Sequence, residues 1–147
     1  MKRQITILTI ALALSLASGL HASDALKAIV GSYLQIHAQL ASDKLTDVKT
    51  PAAAIAKQAA SLGDPGAPIA KAAKAMSGAA DLKAAREAMG PLSDAIIAAA
   101  KAEGYKDLSD IRVVYCPMVQ KSWIQKDKDI KNPYFGPDML ACGEFKK

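Results

Sequence analysis

Cysteine and histidine are scarce in this chain, and the scarcity removes most metal and nucleophile chemistry at the outset. Its two cysteines, Cys116 and Cys142, are widely spaced, so there is neither a thioredoxin-type Cys-x-x-Cys nor a double Cys-x-x-Cys zinc pattern. Of the two histidines, His21 falls in an N-terminal leader, which leaves His37. One histidine is too little for a histidine-based zinc enzyme or a Ser-His-Asp triad. No glycine-rich phosphate loop is present. The stretch "DKDIKN" resembles the start of a calcium loop, but lysine stands where the third oxygen ligand belongs. Nothing here points to covalent chemistry, and the expectation is a protein that is not an enzyme.

A basic block and a long apolar run are missing as well. Lysine and aspartate alternate along the chain as they do on solvated helix faces, whereas nucleic-acid binding needs a concentrated positive footprint. The apolar stretch from Ile5 to Leu20 is short for a membrane span, which needs roughly 20 residues. Preceded by Met1-Lys2-Arg3-Gln4 and followed by small residues, it reads as a secretory signal, residues 1–22, cleaved after Ala22. No cysteine follows "LASGL", which argues against a lipoprotein anchor. Loss of Lys2 and Arg3 lowers the formal charge by two, from +5 to +3. The expectation is a periplasmic protein with no membrane attachment after cleavage and no nucleic-acid partner. In that oxidising compartment a Cys116–Cys142 disulfide is permitted.

What is present is alanine-rich helix. Leu26, Val30, Tyr33, His37 and Leu40 recur at steps of three and four, which places them on one helical face ending near Ala41. A second stripe carries Val48, Ala52, Ile55, Ala59 and Leu62, with Thr50-Pro51 suited to its start. "LGDPGAP" breaks the chain before a short third helix through Ile69, Ala72, Ala73 and Met76. Asp81 can cap a fourth helix, whose stripe of Leu82, Ala85, Met89, Leu92, Ile96 and Ala99 continues through Gly90-Pro91. Short connections between four helices predict an all-α fold, an antiparallel four-helix bundle over residues 23–103. Residues 104–147 would form an extended, turn-rich lid on the same single domain, 23–147. "IRVVY" is β-branched and should be extended, and the turn-rich remainder carries too many apolar side chains to be left in water.

The lid concentrates the unusual chemistry. Cys116 and Met118 are two apart, so in an extended segment they leave one face; Met139 and Cys142 are three apart and share the face of a helical turn. Thiolate and thioether donors select soft ions, above all Cu(I), so Cys116, Met118, Met139 and Cys142 are candidate metal ligands. His37 lies on the apolar stripe of the first helix, where a hydrogen-bonded core histidine is the favoured reading; it is a candidate additional ligand if the lid folds back over that helix. The alternative is a structural Cys116–Cys142 disulfide contributing about 3 kcal/mol, with the nearby methionines as core filler. A third reading, thiol-disulfide exchange, lacks a vicinal cysteine. Trp123, Tyr134 and Phe135 are either the anchors that pack the lid or a docking surface for an envelope partner.

The segments "YCPM", a tryptophan a few residues on, "NPYFG" and "MLACG", preceded by "AREAMGPLSDAIIAAA", resemble an uncharacterised periplasmic domain family. That family occurs alone and fused to membrane-fusion proteins of copper and silver efflux pumps. The resemblance implies a helical domain, a periplasmic location and a link with copper or related soft metals. It also implies a heavy-metal efflux adaptor, or another periplasmic protein, as partner. Its Cys-Pro-Met and Met-x-x-Cys elements fall on Cys116, Pro117, Met118, Met139 and Cys142. Between Cys-Pro-Met and the tryptophan the family often carries a longer insertion than Val119 to Ser122.

Overall fold

The computed structural model describes residues 8–105 and 108–146, with side chains from Ala22 onward. Four helices come first: α1 (Leu8–Ala41), α2 (Lys49–Ala59), α3 (Gly66–Ser77) and α4 (Leu82–Ala102). Three strands follow: β1 (Arg112–Cys116), β2 (Lys121–Gln125) and β3 (Glu144–Phe145). Short 3₁₀ turns occupy Ala60–Leu62 and Gly136–Met139. The cut expected after Ala22 falls inside α1, and the buried residues described for that helix, from Leu26 on, all lie beyond it.

The helical stripes pack as their spacing dictates. Leu26, Val30, Tyr33, His37 and Leu40 are all buried, as are Val48, Ala52, Ile55 and Ala59, the whole stripe of α3, and Ala85 through Ala99 on α4; Leu62 and Leu82 are half-buried. Each helix packs on its successor, and α1 returns against α4. The Asp81 carboxylate accepts the Ala84 N–H at 2.8 Å and caps α4. That helix runs unbroken through Pro91, whose ring faces solvent. Helix α2 begins at Lys49, with Val48 at the N-cap and no side-chain cap, so Thr50-Pro51 lies within the first turn and not before it.

The all-α expectation is overturned. The segment after α4 is a three-stranded antiparallel sheet in the order β2-β1-β3, and the fold is mixed, helices plus sheet. The extended β1 was legible, but its partners were not. Lys121–Gln125 mixes polar and apolar residues without clean alternation, and β3 is two residues long. Pairing energy is a property of two strands together, so neither stretch announces itself alone. Register explains the composition of β2. Val114 stands opposite Trp123 and Val113 opposite Ile124, so β-branched residues meet an aromatic and an aliphatic partner across the ladder.

The sheet is a layer of the core and not a cover lying loosely over it. β2 packs on α4, and Trp123, Ile124 and Val114 are fully buried. Tyr33 on α1 joins the layers: its hydroxyl lies 2.6 Å from Ser93 Oγ on α4 and accepts the Ile124 N–H at 3.4 Å. Ser93 in turn donates to the Met89 carbonyl at 2.7 Å, so the buried hydroxyls are satisfied.

Candidate functional site: the Cys116–Cys142 pair

Cys116 ends β1 because Pro117, with no N–H to give a ladder, follows it. The chain turns through Pro117 to Gln120, where Gln120 takes φ 53°, and returns as β2. Cys142 arrives from the other end of the tail, its N–H donating to the Met139 carbonyl at 3.0 Å to close the turn after the second 3₁₀ segment. The two sulfurs meet at 3.0 Å, Cys116 fully buried and Cys142 half-buried. β3 begins two residues after Cys142 and pairs with β1 through Val114–Phe145 and Tyr115–Glu144. The sulfur contact therefore lies beside the end of this short pairing.

A fully buried asparagine holds this arrangement. Asn132 donates its N–H to the Leu140 carbonyl at 2.8 Å and its Nδ2 to the Cys142 carbonyl at 2.7 Å. It accepts the Tyr134 N–H on Oδ1 at 2.8 Å and the Gly136 N–H on its carbonyl at 3.1 Å. Gln125, also fully buried, does the same for the loop between β2 and Asn132. Its Oε1 accepts Trp123 Nε1–H at 2.9 Å and the Lys131 N–H at 3.1 Å, while Nε2 donates to the Asp127 and Asp129 carbonyls at 3.0 and 2.7 Å. Two side chains thus replace the ladder that an irregular segment lacks. Neither stands out in the sequence; the Asn-Pro of "NPYFG" was the available signal, since asparagine before proline favours such side-chain-to-backbone turns.

Helix side chains tie the tail down. His37 Nε2 donates to the Lys131 carbonyl at 2.7 Å, which fixes the proton on that nitrogen. Burial lowers the His37 pKa, partly opposed by this hydrogen bond, and keeps the ring neutral. Arg86 Nε donates to the Pro133 carbonyl at 3.0 Å, and its Nη2 reaches the Leu40 carbonyl at 3.1 Å and the Asp43 carboxylate.

Among the sequence candidates, the structure brings Cys116 and Cys142 together and leaves the two methionines at the surface. β1 stops at Cys116, so the strand alternation that would align Met118 with it does not extend that far. Met118 is 62% exposed and Met139 36% exposed, whereas Met76 and Met89 are fully buried in the helical core. The flanking methionines are not core filler. Trp123 is fully buried and Tyr134 nearly so, their rings edge to face with centroids 6.0 Å apart. Tyr134 Oη donates to the Ser122 carbonyl at 2.7 Å. Trp123 and Tyr134 pack the tail into the core, and Phe135 is half-buried. His37 is committed to Lys131 through Nε2.

The environment of the pair is asymmetric. Burial pushes the Cys116 thiol up, but the Cys142 thiol, the Val119 and Met118 N–H groups and the Asn132 amide outweigh it and leave its pKa below the usual value. The Cys142 thiol is raised, chiefly because it donates to Cys116 and secondarily by burial. Cys116 is the sulfur prepared to carry negative charge. Among the described residues, no group of three or more His, Cys, Asp or Glu side chains is arranged to hold a metal ion, so any ion here would rest on a two-cysteine base.

The fold and the pair define a helix-and-sheet domain with a dithiol at the sheet edge. No protein-family profile matches the chain, and no curated protein and no solved structure matches it either.

Proposed function

We propose that this is an exported soft-metal-binding protein that holds Cu(I) between the Cys116 and Cys142 thiolates and buffers it or passes it to an efflux or maturation partner. The observation that carries this reading is the meeting of the two cysteine sulfurs at 3.0 Å, with the surface methionines Met118 and Met139 close to them in sequence. Thioethers at the surface can capture a soft ion and deliver it to thiolates below. The N–H groups around Cys116 favour the ionised ligand that such binding requires.

The fit requires a small opening. Two thiolates on one tetrahedral ion at about 2.3 Å stand roughly 3.7 Å apart, more than the 3.0 Å here. Cys142, half-buried on the arm before a two-residue strand, is the side that would yield. The same distance favours a second reading, a disulfide-clamped structural module, since 3.0 Å is only about 1 Å beyond the covalent length of about 2.0 Å. The two states exclude each other in one molecule but not in one protein.

Anaerobic titration of the reduced chain with Cu(I) against a chromogenic chelator separates them. One tightly held ion per chain is expected, lost in Cys116→Ser and Cys142→Ser and weakened about tenfold by Met118→Ala or Met139→Ala. A reduced protein that leaves the chelator fully loaded would overturn the metal reading. Recovery of the chain from its compartment with no free thiol and no metal would favour the clamp.

A further inference from the structure

A second concavity, about 790 Å³, opens between α4, the connection from α4 to β1, and the edge strand β3; neither cysteine lines it. Its size lies within the range of small-molecule sites, roughly 300–1,000 Å³. Ile97, Tyr105, Ile111, Val113 and Phe145 supply apolar wall. Phe145 is 38% exposed, and apart from Met118 and Met139 it is the large apolar side chain left open to solvent among the described residues. Its ring therefore adds an open aromatic face to the apolar wall of the cleft.

The charge around this wall has one dominant sign. Among the described residues Lys101, Arg112 and Lys146 line the cleft against the carboxylate of Asp94. Among the same residues neither Lys101 nor Arg112 meets a carboxylate within ion-pair distance, while Lys146 is held by Glu144 at 3.3 Å and lies 4.3 Å from the Tyr115 ring centroid. The Arg112 guanidinium lies 5.5 Å from the Phe145 ring centroid, so a charge able to grip an anion in two places stands beside the exposed ring. Three cations around an apolar wall suit one anionic head on a hydrocarbon body. They do not form the continuous stripe that a nucleic acid needs, and they repel a cation.

We propose that this cleft binds an amphipathic organic anion, a carboxylate on an aliphatic or aromatic body, with the body against Ile97, Tyr105 and Phe145 and the head at Arg112 and Lys101. The site shares no side chain with the sulfur pair, so failure of the metal reading would leave this proposal standing.

Calorimetric titration of the full chain with decanoate tests this, with decanol and decyltrimethylammonium as matched neutral and cationic probes. Saturable one-to-one binding of decanoate is expected, at least tenfold tighter than decanol, with no binding of the ammonium. Lys101→Gln with Arg112→Gln, both exposed and free of structural hydrogen bonds among those described, should lower decanoate affinity at least tenfold while leaving the thermal melt unchanged. Ala98→Trp, on the exposed α4 wall of the same cleft, should block it. Equal affinity for decanoate and decanol, non-saturable uptake, or indifference to both sets of substitutions would overturn the proposal.

Discussion

Asn132 and His37 show how few side chains hold the irregular tail in place. Every hydrogen-bonding group of Asn132 is engaged, and removing its side chain strands the Cys142 carbonyl and the Tyr134 N–H. Asn132→Ala should therefore cost about 1–3 kcal/mol for the buried Tyr134 N–H left unpaired, and more for the part-buried Cys142 carbonyl. It should also speed alkylation of Cys142, which a timed maleimide reaction reads directly. His37 is buried and neutral, and its lowered pKa has a defined sign. The unfolded chain binds a proton near the ordinary value of about 6.5 while the folded chain still resists it. His37 thus contributes stability that is complete above that value and is lost as pH falls below it. Urea melts at pH 7.5 and 5.0 should show the wild type losing more stability on acidification than His37→Gln; equal losses would refute this. The role of Asn132 was not visible beforehand, whereas a hydrogen-bonded core histidine was the favoured reading of His37. The His37 stripe position was legible from periodicity, but the carbonyl it meets belongs to a segment distant in sequence.

At the scale of elements, the helices and the extended β1 were readable, and the partners of β1 were not. Stripes at steps of three and four fixed α1 to α4 because each helix satisfies its own backbone and only its apolar face has to be matched. β2 needs β1 to exist, and its one buried aromatic, Trp123, signals burial without signalling pairing. Trp123→Ala is expected to destabilise by about 3–5 kcal/mol through the cavity left against Val114 and Gly143, and the folded fraction should keep its helical circular dichroism. Junctions between elements are equally constrained. Gly136 has φ +60°, and a Cβ there would crowd Arg86 Nη2 at 2.6 Å and the Asp43 carboxylate paired with it. Gly136→Ala should cost roughly 1–3 kcal/mol from a strained backbone and a displaced Arg86, measured by chemical denaturation. Arg86, which ties α4 to the end of α1 and to Pro133, stood in the sequence as one more charge on a solvated helix face.

For the molecule as a whole, the sulfur pair sets how firmly the C-terminal arm belongs to the domain. Closing the loop from Cys116 to Cys142 is worth about 3 kcal/mol through the unfolded chain. The oxidised protein should accordingly melt several degrees above the reduced one, while Cys142→Ser should melt at one temperature with or without reductant. The candidate pair was legible as the two cysteines of a chain whose N-terminus reads as a secretory signal. That Met118 and Met139 lie at the surface was not, because spacing within a strand or a turn says nothing about where that strand ends.

β3 is a shared wall. Two residues long, it begins just after Cys142 at one end and offers Phe145 to the anion cleft, followed by Lys146, at the other. Moving Cys142 to admit an ion loosens the strand that the cleft leans on, and a bond to Cys116 pins it. Two sites with no side chain in common are thereby energetically linked, and linkage is reciprocal. Decanoate should bind more weakly to the reduced chain than to the oxidised one, and by the same factor should shift the thiol-disulfide equilibrium of the pair toward the bond. A glutathione titration with and without decanoate measures both halves of that cycle.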